Sequence, residues 1–343
     1  MNCSIQPKAE YDNSLQERIN KNLFLNNRKT NIAIVKIDNK IINNFWTYAL
    51  VNHIGCNDIH DMFETIVDDQ KSDNIFCKRN NVYIWYKVFI KAGNYTHCVR
   101  SKRNKSKQCL EYSFDTNYGI EINGCKYNTT NICNPCIDDN YTVFEMPRYL
   151  SIANITFTNI SYRFRKYYVN CVNLHISNCI FNSINVFSIA SIDTCILDKC
   201  VFADNTMFYV GAFQSYINFC ITNSLCNTSN IMIDTHAIDK KSRINIIGNR
   251  IIGNYPLFYP NYSEANVSII KNYIANTFPI TRIAGMDIEF DLNYFSDIAV
   301  ISEMGNFFGE LKMNDNNIFV NCTDRLSKYA QYNKKHPSYC IIS

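Results

Sequence analysis

The residues of this chain that could perform acid–base chemistry are its aspartates. Hydrolysis of a glycosidic bond needs two carboxyl groups about 5 to 10 Å apart. Two adjacent pairs occur, Asp68-Asp69 and Asp138-Asp139, but neighbours on a strand point to opposite faces, so a pair in sequence is not a pair in space. The other candidates are scattered along the chain: Asp193, Asp198, Asp204, Asp234, Asp287 and Asp291. We therefore predict no catalytic residue and no enzymatic activity.

Histidine and cysteine are the residues that could hold a metal ion. His175 and His236 have no partner at the spacing of a metal site or a catalytic triad, and we interpret both as surface or turn residues. Cys133-Asn-Pro-Cys136 has the spacing of half a zinc site, but no second well-spaced pair follows it. Zinc binding by this pair is the less favoured alternative. We expect no metal and no cofactor.

The charge of the chain gives little reason to expect a nucleic-acid partner. Its 34 basic and 30 acidic residues leave a net charge of +4, which is too small to require one. The basic segment Arg100-Ser-Lys-Arg-Asn-Lys-Ser-Lys107 is interpreted as a solvated loop tip. A nuclear-import signal or a surface for an acidic partner is the alternative. No apolar run approaches the roughly 20 residues of a membrane-spanning helix, so we expect no membrane contact.

The elements that would position these residues follow from a repeated spacing. An apolar residue, any residue and an asparagine recur every 21 to 26 residues. The markers are Ile152-Ala-Asn154, Ile176-Ser-Asn178, Ile221-Thr-Asn223, Ile247-Gly-Asn249 and Ile270-Lys-Asn272, with looser copies at Asn293 and Asn316 and Leu197-Asp-Lys199 in the one missing place. A period in the twenties is typical of a solenoid, whose repeats bury their apolar faces against one another.

The contents of each repeat indicate strands. Apolar residues alternate around the marker, as at Leu174 and Ile176, and a period of two rich in β-branched residues predicts a strand. A leucine-rich repeat would need a leucine-rich consensus and usually a helical return. We predict an all-β fold, a right-handed parallel β-helix of at least eight coils between Leu150 and Asn321. The repeated asparagine is expected to occupy a left-handed turn and to stack its amide on the next coil.

Four regions are predicted along the chain. Residues 1–56 form an N-terminal arm and the first strands, and residues 57–149 form a capping helix and the first coils with their loops. Residues 150–321 form the regular parallel β-helix. Residues 322–343 form a C-terminal tail.

A short amphipathic helix is predicted near residues 58 to 68, with Asn57 or Asp58 as its N-cap. Five apolar residues recur there at helical spacing: Ile59, Met62, Phe63, Ile66 and Val67. Such a helix would cover the open end of the solenoid, which otherwise exposes unpaired backbone. A strand running into Gly93-Asn-Tyr95 follows, and this order resembles the first coil of pectin-lyase-like β-helices. The Gly-His-Gly element of polygalacturonases is missing.

The 16 cysteines would suggest disulfides in a small secreted protein. The N-terminal residues lack the apolar core of a secretory signal, so we expect most thiols to be free. Cys179 and Cys200 directly follow the repeat marker. We predict that they stack as small buried hydrophobic residues.

Several segments between Val172 and Lys328 resemble a viral family. They are Ala190-Ser-Ile-Asp-Thr-Cys-Ile-Leu-Asp-Lys-Cys200, Ser215-Tyr-Ile-Asn-Phe-Cys-Ile-Thr-Asn223, Ile244-Asn-Ile-Ile-Gly-Asn-Arg-Ile-Ile-Gly-Asn254, Asn266-Val-Ser-Ile-Ile-Lys-Asn272 and Leu311-Lys-Met-Asn-Asp-Asn-Asn-Ile-Phe319. They are similar to coils of the adenovirus early-region large T antigen and of its capsid relative in atadenoviruses, the left-hand-end protein numbered three. The resemblance covers a little under half of the chain.

This resemblance implies a structural minor capsid protein. It would be a trimeric β-helix on the outer face of an adenovirus particle that stabilises the capsid through contacts with hexon. It would be found in the virion and, during assembly, in the host nucleus. Abundant Asn, Ile, Lys and Tyr, which have AT-rich codons, favour the capsid relative. The alternatives are a regulatory adaptor that binds host p53 and a ubiquitin ligase, and a tailspike-like glycan-binding or polysaccharide-active rod. The sequence indicates no particular host receptor.

A homotrimer of parallel rods is also expected from the composition. With 47% hydrophobic residues, a lone β-helix must place apolar groups on its outer faces, and exposed apolar patches mark interfaces. Cyclic closure satisfies every subunit equally, and the resemblance favours three subunits. Candidate interface residues on the return segments are Phe208, Tyr209, Phe213, Tyr216, Leu257, Phe258, Tyr259, Phe307 and Phe308.

Overall fold

The architecture is that of a computed structural model, which describes most of the chain between residues 31 and 322. The described residues are 31–42, 45–56, 58–80, 83–97, 109–114, 118–125, 129–133, 141–165, 173–182, 186–190, 193–203, 206–211, 217–227, 230–234, 242–253, 258–259, 265–275, 287–298 and 311–322. They form many strands and one helix near the N-terminal end. The predicted N-terminal arm before residue 31 and the C-terminal tail after residue 322 lie outside them.

Sheet A contains twelve strands and runs along the whole described part of the chain. In spatial order they are β2 (Phe45–Cys56), β1 (Ile32–Ile42), β3 (Tyr83–Ile90), β6 (Tyr118–Gly124), β9 (Tyr149–Ala153), β12 (Asn173–Ser177), β15 (Thr194–Asp198), β18 (Asn218–Thr222), β21 (Arg243–Ile247), β24 (Asn266–Ile270), β26 (Asp287–Asp291) and β28 (Leu311–Met313). The first two pairings are antiparallel. From β3 onward every pairing in sheet A is parallel.

Two further parallel sheets complete the coils. Sheet B contains β4 (Gly93–Thr96), β7 (Thr130–Cys133), β10 (Thr156–Thr158), β13 (Ile180–Asn182), β16 (Val201–Ala203), β19 (Leu225–Asn227), β22 (Arg250–Ile252), β25 (Tyr273–Ala275), β27 (Tyr294–Ser296) and β29 (Ile318–Val320). Sheet C contains β5 (Cys109–Ser113), β8 (Tyr141–Glu145), β11 (Ser161–Arg165), β14 (Val186–Ala190), β17 (Met207–Gly211), β20 (Asn230–Asp234) and β23 (Phe258–Tyr259).

The chain visits the three sheets in turn, and this order defines a parallel β-helix. Each strand of sheet A pairs with the strand that follows one full coil later, as β12 does with β15. Eight strands of sheet A, from β9 to β28, lie between Tyr149 and Met313. The predicted fold class and the predicted eight coils are therefore confirmed. Strand pairing is the same for either hand, so the right-handed sense stays a prediction that rests on the usual hand of parallel crossovers.

The core lies inside the coils and is built from rows of residues in register. One row on sheet A consists of Leu174, Cys195, Phe219, Ile244, Val267 and Ile288, and all six are buried. On sheet B the rings of Phe181 and Phe202 stack with centroids 5.0 Å apart. Along each strand, the residues that alternate with these buried ones face outward. This is the alternation from which the strands were predicted.

Helix α1 (Ile59–Asn80) covers the N-terminal end of this core. Ile59, Met62 and Ile66 are buried in the core cluster, and the ring centroid of Phe63 lies 4.9 Å from that of Phe144 on sheet C. The predicted capping helix is therefore confirmed. An ion pair of 2.8 Å between Lys36 and Asp69 ties the helix to β1.

The ends of α1 differ in how well they follow from the sequence. At its start the carboxylate of Asp58 accepts a hydrogen bond of 2.7 Å from the backbone N–H of Asp61, which is an N-cap. The helix continues to Asn80, well beyond the predicted end near residue 68. After Val67 the sequence is mostly polar, so apolar spacing no longer indicates a helix there.

Nine cysteines whose side chains the structure describes are free: Cys56, Cys125, Cys133, Cys179, Cys195, Cys200, Cys220, Cys226 and Cys322. Cys179 and Cys200 are buried, as predicted. Burial raises the pKa of Cys200 to about 12, so its thiol stays protonated at neutral pH and is a poor nucleophile.

Candidate interaction surface

Two adjacent positions form the corner between sheets A and B in successive coils. The first position takes a positive φ, between 50° and 67°, and is occupied by Asn154, Asn178, Lys199, Asn223, Gly248, Lys271 and Leu292. The second position, which we call the corner ladder, points inward and is occupied by Ile155, Cys179, Cys200, Ser224, Asn249, Asn272, Asn293 and Asn317. The left-handed turn predicted at the repeat marker is therefore present.

The asparagines of the corner ladder pass hydrogen bonds from coil to coil. The Oδ1 atom of Asn272 accepts the backbone N–H of Asn249 at 2.8 Å, and the Oδ1 atom of Asn293 accepts the backbone N–H of Asn272 at 3.0 Å. The Nδ2 atom of Asn272 donates to the carbonyl of Ile246 at 2.8 Å. These bonds satisfy backbone groups that the turn would otherwise leave unpaired in the interior.

The asparagines of the repeat marker do not all occupy the same position in the coil, which corrects the sequence prediction. Asn178 and Asn223 occupy the turn, whereas Asn249 and Asn272 occupy the ladder one residue later. In this coil the marker begins at Ile247, although Ile246 is the residue that pairs with buried Ile221. The asparagines remain structural, as predicted.

Polar partners hold several of the predicted acidic candidates. Asp68 pairs with Lys71 at 2.8 Å, and Asp69 accepts a hydrogen bond of 2.6 Å from the hydroxyl of Tyr86. Both belong to α1 and not to the coils. Burial alone would raise the pKa of Asp198, but hydrogen bonds from Thr222 and Asn223 outweigh it, so the pKa is lowered.

Strand β26 carries three carboxylates on the outer face of sheet A: Asp287, Glu289 and Asp291. A hydrogen bond of 2.8 Å from Lys312 and one of 3.1 Å from Asn314 hold the pKa of Glu289 below its ordinary value. The Nδ2 atom of Asn316 donates to Asp291 at 3.1 Å. A general acid needs a raised pKa, and hydrogen bonding at Glu289 shifts the pKa in the opposite direction.

His175 lies on the outer face of β12, in agreement with its interpretation as a surface residue. Burial lowers its pKa, while the nearby carboxylate of Asp198 acts in the opposite direction. Cys133 is half-buried on β7. Within the described residues, no group of three or more His, Cys, Asp or Glu side chains could hold a metal ion. The same part of the chain contains no helix with the length and apolarity needed to span a bilayer.

Several predicted features fall outside what the structure describes. His236, Asp138, Asp139, Asp204, Cys136 and the basic segment from Arg100 to Lys107 are among them. The same is true of the side chains of Asp234 and of the predicted interface aromatics Phe208, Tyr209, Phe213, Tyr216, Leu257, Phe258, Tyr259, Phe307 and Phe308. These predictions stay predictions.

The outer face of sheet B carries a row of apolar side chains in register. We call this row the apolar stripe: Ile180, Val201, Leu225, Arg250, Tyr273, Tyr294 and Ile318. Its one charged member is Arg250. Ile318 at the far end is 48% exposed. The row two residues further along each strand carries no charged side chain, and two of its members, Ala275 and Ser296, are buried. It consists of Asn182, Ala203, Asn227, Ile252, Ala275, Ser296 and Val320.

The aromatic part of the stripe is ordered by stacking. The rings of Tyr273 and Tyr294 are 5.3 Å apart between centroids and 12° from parallel. The guanidinium of Arg250 lies 5.3 Å from the ring centroid of Tyr273, within the range of a cation–π contact. Because each ring covers the face of its neighbour, the stack presents ring edges and hydroxyl groups to the exterior.

Sheet A has a different outer face. Its outward positions in the same coils include Asp198, Arg243, Asp287, Glu289 and Lys312. Charged side chains are depleted from the centres of protein interfaces and common on solvated surfaces. The contrast identifies sheet B, and not sheet A, as the candidate interaction surface.

The sequence contains a signal for the apolar stripe that the prediction did not use. Each stripe residue directly follows a corner-ladder residue, as Ile180 follows Cys179, Val201 follows Cys200 and Leu225 follows Ser224. The strands of sheet B have only three residues from β10 onward. Such short strands give too few alternations for a period of two to be detected without the ladder as a reference.

No family model matches the chain, and neither curated proteins nor solved structures give a significant match to it. The fold and the candidate interaction surface therefore rest on the geometry described above.

Proposed function

We propose that this protein is a structural, non-enzymatic β-helix that assembles side by side as a homotrimer. In the same proposal it is a minor capsid protein on the outer face of an adenovirus particle, where it contacts hexon. The observation that carries the assembly is the apolar stripe on the outer face of sheet B, in which Arg250 is the one charged residue. The capsid role is supported by the sequence resemblance between Val172 and Lys328.

The dimensions of the sheet B face suit contact between parallel rods. Its seven stripe strands, about 4.8 Å apart, span roughly 29 Å along the coil axis. With two outward rows on each strand, the face covers on the order of 300 Å², the size at which exposed apolar area marks an interaction site. Since a stable interface buries about 800 Å² per partner, neighbouring return segments must contribute the remainder.

A cyclic arrangement suits a face that extends along the rod. Side-by-side contacts about an axis parallel to the coils give every subunit the same environment and leave no open end for continued growth. The coils stack along that axis, so stripe residues of one subunit would meet a neighbour at a constant height. Three subunits are the number that the resemblance favours.

The assembly is tested with two matched substitutions in one coil. Val201→Glu places a charge in the apolar stripe on β16, and Ile196→Glu places the same charge on the outer face of β15 in sheet A. Both side chains are half-buried and outward-facing. Sedimentation of the unmodified protein should give three times the chain mass of 39.9 kDa. Val201→Glu should release folded monomer, and Ile196→Glu should not.

Two results would contradict the assembly. One is a stable folded monomer of the unmodified chain at micromolar concentration. The other is equal loss of trimer in both variants, since that would report general damage to the coil and not a contact on sheet B. The capsid role has a separate test: the protein should co-purify with intact virions and lose that association when they are disassembled. A protein confined to the soluble fraction of infected cells would reject it.

A further inference from the structure

A continuous chain of hydrogen bonds runs from the surface of α1 into the core of the first coils. The Nε2 atom of His60 lies 3.0 Å from the carboxylate of Glu64, and its Nδ1 atom lies 2.7 Å from the hydroxyl of Tyr112. That hydroxyl also lies 3.3 Å from the Nε2 atom of His97. The Nδ1 atom of His97 lies 2.8 Å from the hydroxyl of Tyr162. We call these five residues the histidine–tyrosine chain.

The histidine–tyrosine chain joins the cap to three strands. His60 and Glu64 lie on α1, and Tyr112 and Tyr162 lie on β5 and β11 of sheet C. His97 directly follows β4 of sheet B. At its outer end the side chains of His60 and Glu64 are 36% and 57% exposed, and His97 at the inner end is 3% exposed. The chain therefore connects water to a fully buried histidine.

Around it the packing is aromatic and the charge is negative. Phe63 lies 5.0 Å from Tyr112 and 5.8 Å from His97 between ring centroids. Besides Glu64, the carboxylates of Asp58 and Asp61 act electrostatically on His60 or Tyr112.

The direction of every bond follows from Glu64. An ionised carboxylate only accepts, so a neutral His60 carries its proton on Nε2, and its bare Nδ1 accepts from Tyr112. The hydroxyl of Tyr112 has one proton, so its oxygen must then accept from the Nε2–H of His97. His97 is left with a bare Nδ1, which accepts from Tyr162. In this state all donors point from the core toward the surface.

We propose that protonation of His60 reverses the histidine–tyrosine chain and switches the tautomer of buried His97. In the switch the hydroxyl proton of Tyr112 passes to Nδ1 of His60, the Nε2 proton of His97 passes to Tyr112, and the hydroxyl proton of Tyr162 passes to Nδ1 of His97. A proton from water restores the hydroxyl of Tyr162. His60 then donates from both nitrogens, Tyr112 donates to Nε2 of His97, and the Nδ1–H of His97 donates to the oxygen of Tyr162. One proton is taken from water in total: the four groups from His60 to Tyr162 hold four titratable or hydroxyl protons before and five after.

Such a switch lets the inside of the cap respond to pH while His97 stays neutral. Histidine is the side chain whose ordinary titration falls between pH 5 and 8, and His60 is the exposed one of the two. All four hydrogen bonds exist in both states, so the helix stays attached to β5 and β11. What changes is the direction in which the hydrogen bonds between them are donated. The device is independent of the proposed capsid role and of the oligomeric state.

The test is nitrogen NMR of the full chain with ¹⁵N-labelled histidine, which has only six histidines. Above the titration of His60, Nε2 of His97 should show the shift of a protonated ring nitrogen and Nδ1 that of a bare one. As His60 titrates, the two shifts should exchange at the same midpoint, without the pattern of a doubly protonated ring. A His97 tautomer that stays the same through the titration of His60 would overturn the proposal.

Matched variants distinguish the chain from a general effect of pH. Tyr112→Phe keeps the ring that packs on Phe63 but removes the hydroxyl, so His60 should still titrate while His97 no longer responds. Tyr95→Phe removes a hydroxyl that bonds only locally to the carbonyl of Lys91 and should leave the exchange intact. If Tyr112→Phe does not fold, His60→Gln serves instead and should abolish the response. Exchange that persists in either of these disconnected variants would refute the mechanism.

Discussion

Acid should destabilise this protein through one buried histidine. Burial lowers the pKa of His97 from 6.5 to about 3, with the nearby His60 acting in the same direction. In the unfolded chain His97 takes up a proton below pH 6.5, whereas in the folded protein it does not until about pH 3. The unfolded state therefore binds more protons in this interval. Stability is complete above pH 6.5 and falls as the pH is lowered toward 3.

The magnitude follows from the same interval. Each pH unit in which only the unfolded state is protonated costs about 1.4 kcal/mol, so the loss is about 3 kcal/mol at pH 4.5 and roughly 5 kcal/mol at pH 3. A typical domain has a free energy of unfolding of about 5–15 kcal/mol, so this one group removes a large share of it. Solvent screening is small for His97, because its side chain is almost wholly inside the protein.

The assay is urea unfolding between pH 7.5 and 4.5 at one fixed protein concentration, since self-association would otherwise shift the midpoint. His97→Gln should be less stable than the unmodified protein at pH 7.5, because it loses bonds to Tyr112 and Tyr162. The difference should shrink by about 3 kcal/mol as the pH falls to 4.5. His175→Gln, on the outer face of β12, should keep most of the original slope. An unchanged pH slope in His97→Gln would refute the reasoning.

Three further outcomes are expected. Asn272→Ala should lower the free energy of unfolding by about 1–3 kcal/mol, because the buried N–H of Asn249, the preceding ladder residue, loses its acceptor. Asn245→Ala on the outer face of β21 should change the free energy of unfolding little, and equal effects in urea unfolding would contradict this. The thiol of Cys200 should react with a thiol-specific reagent only after unfolding, whereas the exposed thiol of Cys125 should react at once. Rapid labelling of both thiols in the folded protein would show that burial does not protect Cys200. Gly124→Ala should strongly lower the midpoint of thermal unfolding, because the added Cβ would lie 2.2 Å from the backbone oxygen of Asn154. An unchanged midpoint would mean that the end of β6 is not so closely packed against the next coil.

The sequence predicted the coils well because their signal is repeated. A single alternation such as Leu174 and Ile176 is ambiguous, but eight copies at a near-constant period are typical only of a solenoid. The same repetition did not determine the corner position, because inward Ile246 and outward Ile247 are chemically identical. A shift of one residue moves every side chain to the other face, so apolar character alone cannot distinguish them.

The remaining features depend on contacts that no local pattern encodes. His60 and Tyr112 are 52 residues apart in sequence, and His97 and Tyr162 are 65 apart. Of the contacts in the histidine–tyrosine chain, the one between His60 and Glu64 has a local spacing, at i and i+4 on α1. The apolar stripe is likewise assembled from seven coils, each contributing one residue, and its members become a surface only when strand register is known.

The corner ladder changes character along the rod, and this affects the fidelity with which coils stack. From Ser224 to Asn317 each ladder residue has a polar side chain that accepts a backbone N–H from the preceding coil. A strand that slips by one residue therefore leaves buried polar groups unpaired. At Ile155, Cys179 and Cys200 the rungs are apolar or weakly polar, and a slip there loses little beyond packing. Errors of alignment during folding should therefore be corrected in the later coils and tolerated in the earlier ones, where the aromatic core beneath α1 is the feature that selects the right partner.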